Sequence, residues 1–340
     1  MDRSIREPMV LARCCAYDAQ MSNSFGIREQ LQHAYAAIQN LQFDRSTMDI
    51  AEELGISRFA VGRMIRRARD EGLVEVVSRL PHPVDTQLSK ALEREFGLSS
   101  ALVVIPPSAS DVGARAVIAS IAARMVSDMV GEDDIIGLGP GRTIIQMCSS
   151  VAEIASCDVV QVTGVAGSVP EEELDAIVRL SSVSKGRMFA LHAPFLTTNE
   201  EAAKAIADQP GVKNAIQRMN RLDKVVLTVG GWPASSGLAT QLASNGELDL
   251  FIRSGVVAEI GTTLLDAEGK EVHSLENRLI GISTAQLRKV PLRIALGGGQ
   301  GKRRAVLSVL KSGLIDVLIT DQETARLALL NTGFGGLHLR

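Results

Sequence analysis

The chain has 340 residues, with 36 Lys and Arg against 39 Asp and Glu for a net charge of −3, and 46% of its residues are hydrophobic. That length and apolar content suffice for a small and a large domain, while the near-neutral charge excludes a chain that is basic throughout, so any attraction for nucleic acid must be local. Aromatic residues are 3% of the total, too few for the stacking platform that single-stranded nucleic acid needs. The four cysteines, Cys14, Cys15, Cys148 and Cys157, are spaced neither for a zinc site nor for a secreted disulfide framework, which implies free thiols in a reducing cytosol. No signal peptide and no apolar run long enough for a bilayer is found, so the expected location is the cytoplasm with no membrane contact.

In chain order, residues 1–25 have no clear period and are either a loose arm or an extra helix. Residues 28–41 predict a helix with Leu31, Ala34, Tyr35 and Ile38 facing inward. Thr47 then stands where it can cap a short helix carrying Met48, Ile50, Ala51 and Leu54. Gly55 suits the left-handed position that ends it, and Ile56 can plug the space behind the turn. Ser57 caps a second helix with Val61, Met64, Ile65 and Ala68 on one face and Arg58, Gly62, Arg63, Arg66, Arg67 and Arg69 on the other. An amphipathic helix with arginines outward is ordinarily just solvated. Here the tight turn, the small Gly62 on the outer face and the absence of any acid before Asp70 favour a helix-turn-helix placed in a major groove. Thr47, Arg66 and Arg67 would hold phosphates, and Ser57, Arg58, Phe59, Gly62 and Arg63 would approach base edges. Residues 73–77 suggest the strand of a wing, and Pro81 and Pro83 mark a boundary. The expected division is an arm at 1–25, a DNA-binding domain at 26–80 and a second domain at 81–340.

Beyond the prolines, aliphatic strands are predicted at residues 101–105, 134–138, 158–163, 187–191, 224–229, 292–296 and 317–320. Helices are predicted at 112–130, 141–152, 171–183, 200–222, 302–312 and 322–330. Continuous Val/Ile runs suit strands covered on both faces, so the fold class is a doubly wound, mainly parallel α/β domain. A hairpin is expected over 264–272, turning at Asp266-Ala267-Glu268-Gly269.

Ligands of such sheets bind beyond the carboxyl ends of the strands. Four predicted strands end in glycine there: Gly139-Pro140-Gly141-Arg142-Thr143, Gly164-Val165-Ala166-Gly167, Gly230-Gly231-Trp232 and Gly297-Gly298-Gly299-Gln300-Gly301-Lys302. None is a dinucleotide or Walker signature, and each alone reads as a tight turn. Four on one sheet edge point to a small anionic ligand, with backbone N–H groups, a guanidinium and an ammonium available. Glu259 is either an acceptor for sugar hydroxyls or a solvated or capping carboxylate. Trp232 reads as a packing residue, and Asp266 and Asp321 as turn and cap residues. No metal or cofactor set is present in the pattern.

Taken in order, Ile50-Ala51-Glu52-Glu53-Leu54-Gly55-Ile56-Ser57-Arg58, Arg63, and Ala68 through Val74 resemble the DNA-binding end of the SorC family of sugar-responsive bacterial transcription regulators. The remainder is similar too, through Gly139–Thr143, Val160–Gly164, Leu264–Gly269, the loop to Lys302, and Val317–Asp321. The resemblance implies a winged helix-turn-helix and an effector domain like the sugar-phosphate isomerases of the glucosamine-phosphate deaminase type. It also implies homo-oligomers, commonly tetramers, that bind operator DNA and a sugar, polyol or phosphosugar. Carried over by position, Gly139, Gly141, Arg142 and Thr143 would hold the anionic end, with Gly164 and Gly230 beside them, Glu259 receiving hydroxyls and Lys302 supplying charge. The rival is a sugar-phosphate isomerase or deaminase with an accessory DNA-binding module. That chemistry needs a positioned acid and base, and His192 with Glu259 makes no convincing pair.

Overall fold

The computed structural model describes residues 26–74, 83–108, 110–139, 141–165 and 170–332. They group into two compact units that divide near residue 80. The expected arm at 1–25 and most of the expected wing and proline boundary lie outside the described residues.

The first unit contains α1 (Ile27–Leu41), α2 (Thr47–Leu54) and α3 (Arg58–Asp70). The cap of α2 is Ser46, not Thr47: Ser46 is extended, and its hydroxyl accepts the Asp49 N–H at 3.2 Å, while Thr47 is already helical. Only a residue still outside the helix can turn its oxygen back onto the first orphan N–H groups. Gly55 ends α2 at φ 65°, and the Ile56 N–H returns to the Ala51 carbonyl at 3.0 Å, the left-handed stop that glycine adopts without strain. Ile56 does not plug the turn; it is exposed. Ser57 caps α3 as expected, accepting the Ala60 N–H at 3.2 Å.

The small core joins Ala36 of α1, Ile50 and Ala51 of α2 and Val61 of α3, with Leu54, Met64 and Ile65 against it. The inward face expected for α1 is therefore wrong. His33, Ala36 and Ala37 are buried, and Leu31 and Ile38 are exposed. Alanines let α1 lie close to its neighbours, which the bulkier stripe could not do.

In the second unit, strands β1 (Ser100–Val104), β2 (Ile135–Leu138), β3 (Cys157–Gln161), β4 (Lys185–Phe189), β5 (Lys224–Gly231), β8 (Leu292–Leu296) and β9 (Val317–Asp321) form a parallel sheet in the order β1-β9-β8-β5-β2-β3-β4. Two short strands, β6 (Ala258–Ile260) and β7 (Thr263–Leu265), extend it antiparallel from the end of β5. Alternate residues face opposite layers: Val225, Leu227 and Val229 of β5 enter one core, Val226 the other. Both faces are covered, which is why the strands read as unbroken aliphatic runs.

The helices around the sheet include α4 (Thr86–Phe96), α5 (Asp111–Met129), α6 (Arg142–Ser150), α7 (Pro170–Ser184), α8 (Glu200–Ala207) and α9 (Pro210–Arg218). After these come α10 (Gly237–Ser244), α11 (Leu248–Arg253), α12 (Thr284–Leu287), α13 (Arg303–Ser312) and α14 (Gln322–Leu330). The single helix expected over 200–222 is broken, because Pro210 lacks the N–H that a continuous helix would use and instead starts α9. The hairpin over 264–272 forms, with the Val272 N–H on the Leu264 carbonyl at 2.9 Å and the Asp266 N–H on the Lys270 carbonyl at 3.0 Å.

From β2 the chain winds outward to β3 and β4; from β5 it winds the other way to β8 and β9. The adjacent parallel pair β2 and β5 is thus the point where winding reverses, and in sheets of this kind the crevice that takes a ligand lies beyond the carboxyl ends of such a pair.

Candidate functional sites

The crevice is built by glycines that let backbones meet. Gly139 donates its N–H to the Val226 carbonyl at 2.9 Å, and a Cβ there would fall 2.8 Å from the Leu227 side chain. Gly141, at φ 121°, starts α6, and its Cβ would lie 3.0 Å from the Thr228 hydroxyl. The two glycines therefore seat the α6 N-terminus against β5, leaving Arg142 exposed and Thr143 buried. The cavity lined by Gly139, Gly141, Ile144, Gln161 and Ile177 is about 10 Å³, room for a water molecule at most. Gly164 serves a different contact. Its N–H bonds the Ile280 carbonyl at 2.8 Å, and a Cβ would strike the Pro194 carbonyl oxygen at 2.4 Å.

Gly230 pairs with Glu259 across β5 and β6, and a Cβ on it would collide with the Glu259 side chain at 2.4 Å. Glu259 is neither solvated nor a helix cap. Its Oε2 accepts Trp232 Nε1–H and Ser236 Oγ–H, each at 2.8 Å, and burial pushes its carboxyl above the ordinary value against the pull of those two donors and of Lys302. Trp232 thus does more than pack, although it also meets Phe251 edge-on with centroids 6.3 Å apart. Ser236 in turn caps α10 through the Ala239 N–H at 2.9 Å, so the Glu259 acceptor is held on a rigid frame.

Lys302 arrives on the glycine-rich loop. A Cβ on Gly231 would lie 2.6 Å from the Gly301 carbonyl oxygen and 3.4 Å from the Lys302 Cα, so the end of β5 and this loop touch through bare backbone. Burial pushes the Lys302 ammonium down to about 8; Arg115 and Arg142 push the same way, while Glu259 and Asp111 oppose them. Among the described residues no carboxylate lies within 4.0 Å of Lys302, Arg115 or Arg142. Three cations and two acids give the crevice an excess of positive charge, which suits an anion.

Two of these residues carried no signal in the sequence. Asp111 and Arg115 lie one turn apart at the start of α5, which follows β1 on the far edge of the sheet. Asp111 Oδ1 accepts the Gln300 N–H at 2.7 Å, and this bond ties α5 to the loop of Lys302. Asp321 accepts the Gly299 N–H at 2.7 Å and caps α14 through the Thr324 N–H at 3.0 Å, so the expected cap also braces the loop. His192 is exposed.

In the first unit, Arg58, Phe59, Arg63, Arg66, Arg67 and Arg69 are exposed on α3. The Arg58 guanidinium sits 5.0 Å from the Phe59 ring centroid. Open space surrounds the point where a Cβ on Gly62 would stand.

The architecture defines a sheet-edge ligand-binding domain preceded in sequence by a helix-turn-helix. The family described as "Putative sugar-binding domain" matches residues 83–331, and the chain belongs to that family. Among its relatives is the uncharacterized transcriptional regulator YjhU of Escherichia coli K12, 27% identical over 301 residues, covering 85% of this chain and 91% of that protein. The deoxyribonucleoside regulator of Bacillus subtilis 168 is 26% identical over 295 residues, covering 85% and 94%. The crystal structure of the full-length sorbitol operon regulator SorC from Klebsiella pneumoniae covers 89% of this chain and 99% of its own, with a TM-score of 0.65 and 22% identity, a likeness of fold. These relatives are named as regulators, and the enzyme alternative finds no support among them.

Proposed function

We propose that this chain is a transcription regulator that reads operator DNA with α3 and is controlled by a sugar, polyol or phosphosugar held in the β2/β5 crevice. The observation that carries the DNA reading is the outer face of α3: Arg58, Phe59, Arg63 and Arg66 are exposed together beside the open Gly62. In the crevice, Arg142, Thr143 and the α6 N-terminus at Gly141 receive the anionic end, Lys302 adds charge, and Glu259 accepts hydroxyls beside Gly230. Gly139 and Gly164 act by shaping backbone rather than by touching the ligand. The protein works in the cytoplasm as a homo-oligomer, a tetramer, so that several α3 helices engage one operator. A coupling of ~1–3 kcal/mol between effector and DNA suffices for a switch of 5- to 150-fold.

Arg58→Ala and Arg63→Ala should each weaken operator binding by ~1–3 kcal/mol, concentrated at one base position, with the fold intact by circular dichroism. Footprints retained by both variants would remove α3 as the reading helix. Trp232 donates to Glu259, so its fluorescence should change when phosphorylated sugars are titrated in.

A further inference from the structure

A second cavity, about 240 Å³, lies beyond the carboxyl ends of β1 and β9, within the second unit. Its walls are the turn at Pro106–Ser108 after β1, Ala114 of α5, Gly299 and Arg303 around the start of α13, and Asp321–Glu323 where β9 passes into α14. Arg142, Glu259 and Lys302 of the crevice do not line it. Neighbouring cations on one glycine-rich loop therefore serve two spaces, Lys302 the crevice and Arg303 this cavity. The Arg303 Nε is buried with no hydrogen-bond partner, and among the described residues no carboxylate lies within 4.0 Å of its guanidinium. Lys302, Arg303 and Arg304 open α13 with no acid in its first turn, so three cations stand at the helix end whose dipole repels them. A buried donor without an acceptor costs folding free energy, and an anion in the cavity supplies the acceptor.

We propose that the β1/β9 cavity binds a small hydroxy acid, one carboxylate on a short hydroxylated chain, separately from the effector of the crevice. The edge of a guanidinium matches a carboxylate in fork geometry. The acids in the wall select a single negative charge over a phosphate dianion, since Asp321 and Glu323 line the same space and like charges repel. Asp321 is fully used, by the Gly299 and Thr324 N–H groups and the Thr324 hydroxyl. Glu323 gives Oε1 to Arg326 and keeps Oε2 for a ligand hydroxyl, with the Ser108 hydroxyl on the opposite wall. Pro106, Pro107 and Ala114 offer apolar surface to the carbon chain. The volume falls just below the ~300 Å³ at which pockets for drug-sized ligands begin, which suits a chain of a few carbons. An occupant would touch two braces at once. Asp321 holds the loop of Lys302 through the Gly299 N–H, and Gln322 Nε2 donates to Asp85 Oδ2 at 2.9 Å, next to the residues where the chain enters the second unit.

The test is calorimetric titration of the full chain with D-glycerate, D-gluconate, sorbitol and inorganic phosphate. At least one of the two acids should bind saturably, with sorbitol and phosphate weaker by about tenfold or more, because only a monocarboxylate fits the fork without opposing the acidic wall. Arg303→Met should weaken that binding by about 10- to 150-fold and Lys302→Met by less than about threefold. Ala114→Leu, which sends three more carbons toward the cavity, should abolish it. Both cavity variants should keep the parent's circular dichroism, and either one alone suffices if the other fails to fold. No binding of either acid, or binding kept by the folded cavity variants, overturns the proposal. An equal loss in Lys302→Met and Arg303→Met overturns it too, by returning the acid to the crevice. Phosphate that binds more tightly than either acid, in a manner dependent on Arg303, overturns the hydroxy-acid assignment.

Discussion

Lys302 is where binding and stability should pull in opposite directions. Its ammonium is pushed from 10.5 down to about 8, chiefly by burial, so holding it charged near neutral pH costs the ligand-free fold roughly 3 kcal/mol at most. Lys302→Met keeps an unbranched side chain, one atom shorter, and removes the charge. Glu259 loses the cation that pulls its carboxyl down and, with that carboxyl already raised, becomes easier to protonate, which returns part of the gain. The expected net is a ligand-free protein more stable by about 1–2 kcal/mol, a rise in Tm of about 2–8 °C for a domain of this size. The same change removes a charge-assisted hydrogen bond to the anionic end of the effector, about 1.5–3 kcal/mol or 10- to 150-fold in Kd. A thermal-shift series on both proteins, free and with a panel of phosphorylated pentoses and hexoses, reads both effects at once. A variant that melts lower than the parent and keeps the full ligand-induced shift would refute the account of Lys302 as a strained, ligand-facing cation.

The same group sets a pH dependence. Its folded value lies below its unfolded one, so the ligand-free domain gains stability as pH rises from about 8 toward 10; the affinity for an anionic effector falls over the same span, because the charge it needs is lost. Calorimetric titrations at pH 7 and pH 9 should show the weaker binding at pH 9 together with proton uptake near pH 8, and equal affinities would remove Lys302 from the site. Ser46→Ala should cost the first unit about 1 kcal/mol and Thr47→Ala much less, measured by thermal unfolding, since Ser46 is the residue that caps α2. Gly230→Ala places a methyl group on the Glu259 side chain, and should cost about 1–3 kcal/mol while abolishing the response of Trp232 fluorescence to effector; a stable variant with a normal response would show that β5 and β6 need not approach so closely.

Much of the α/β unit was legible because local signals and global fold agree. The strands at 224–229, 292–296 and 317–320 announce themselves as aliphatic runs, and each carries its neighbours into two cores. The helix over 200–222 failed for a local reason, Pro210, that periodicity outweighed. The strand β6 was missed because three residues carry too little pattern, while β7 was read only as the first arm of the 264–272 hairpin. In the site, Arg142 and Lys302 stood next to glycine loops and were readable; Asp111 and Arg115 stood in an ordinary helix, and nothing in their spacing marks them. Glu259 was visible as a choice between roles, and its two donors, Trp232 and Ser236, decided against a solvated carboxylate.

What the amino-acid order by itself determined is local: where helices stop, where glycine admits a positive φ, and which strands are apolar on both faces. The turn at Gly55 and the arginine face of α3 belong to that class, since each depends on residues within a few positions. Tertiary structure alone decided which stripe of α1 is buried, because alanines and aliphatic residues both satisfy a helical period and only the shape of the neighbouring helices chooses between them. It also decided which charges meet, since α5 and the Lys302 loop are separated by some 190 residues and are brought together by the Asp111–Gln300 hydrogen bond in a sheet whose winding reverses between β2 and β5.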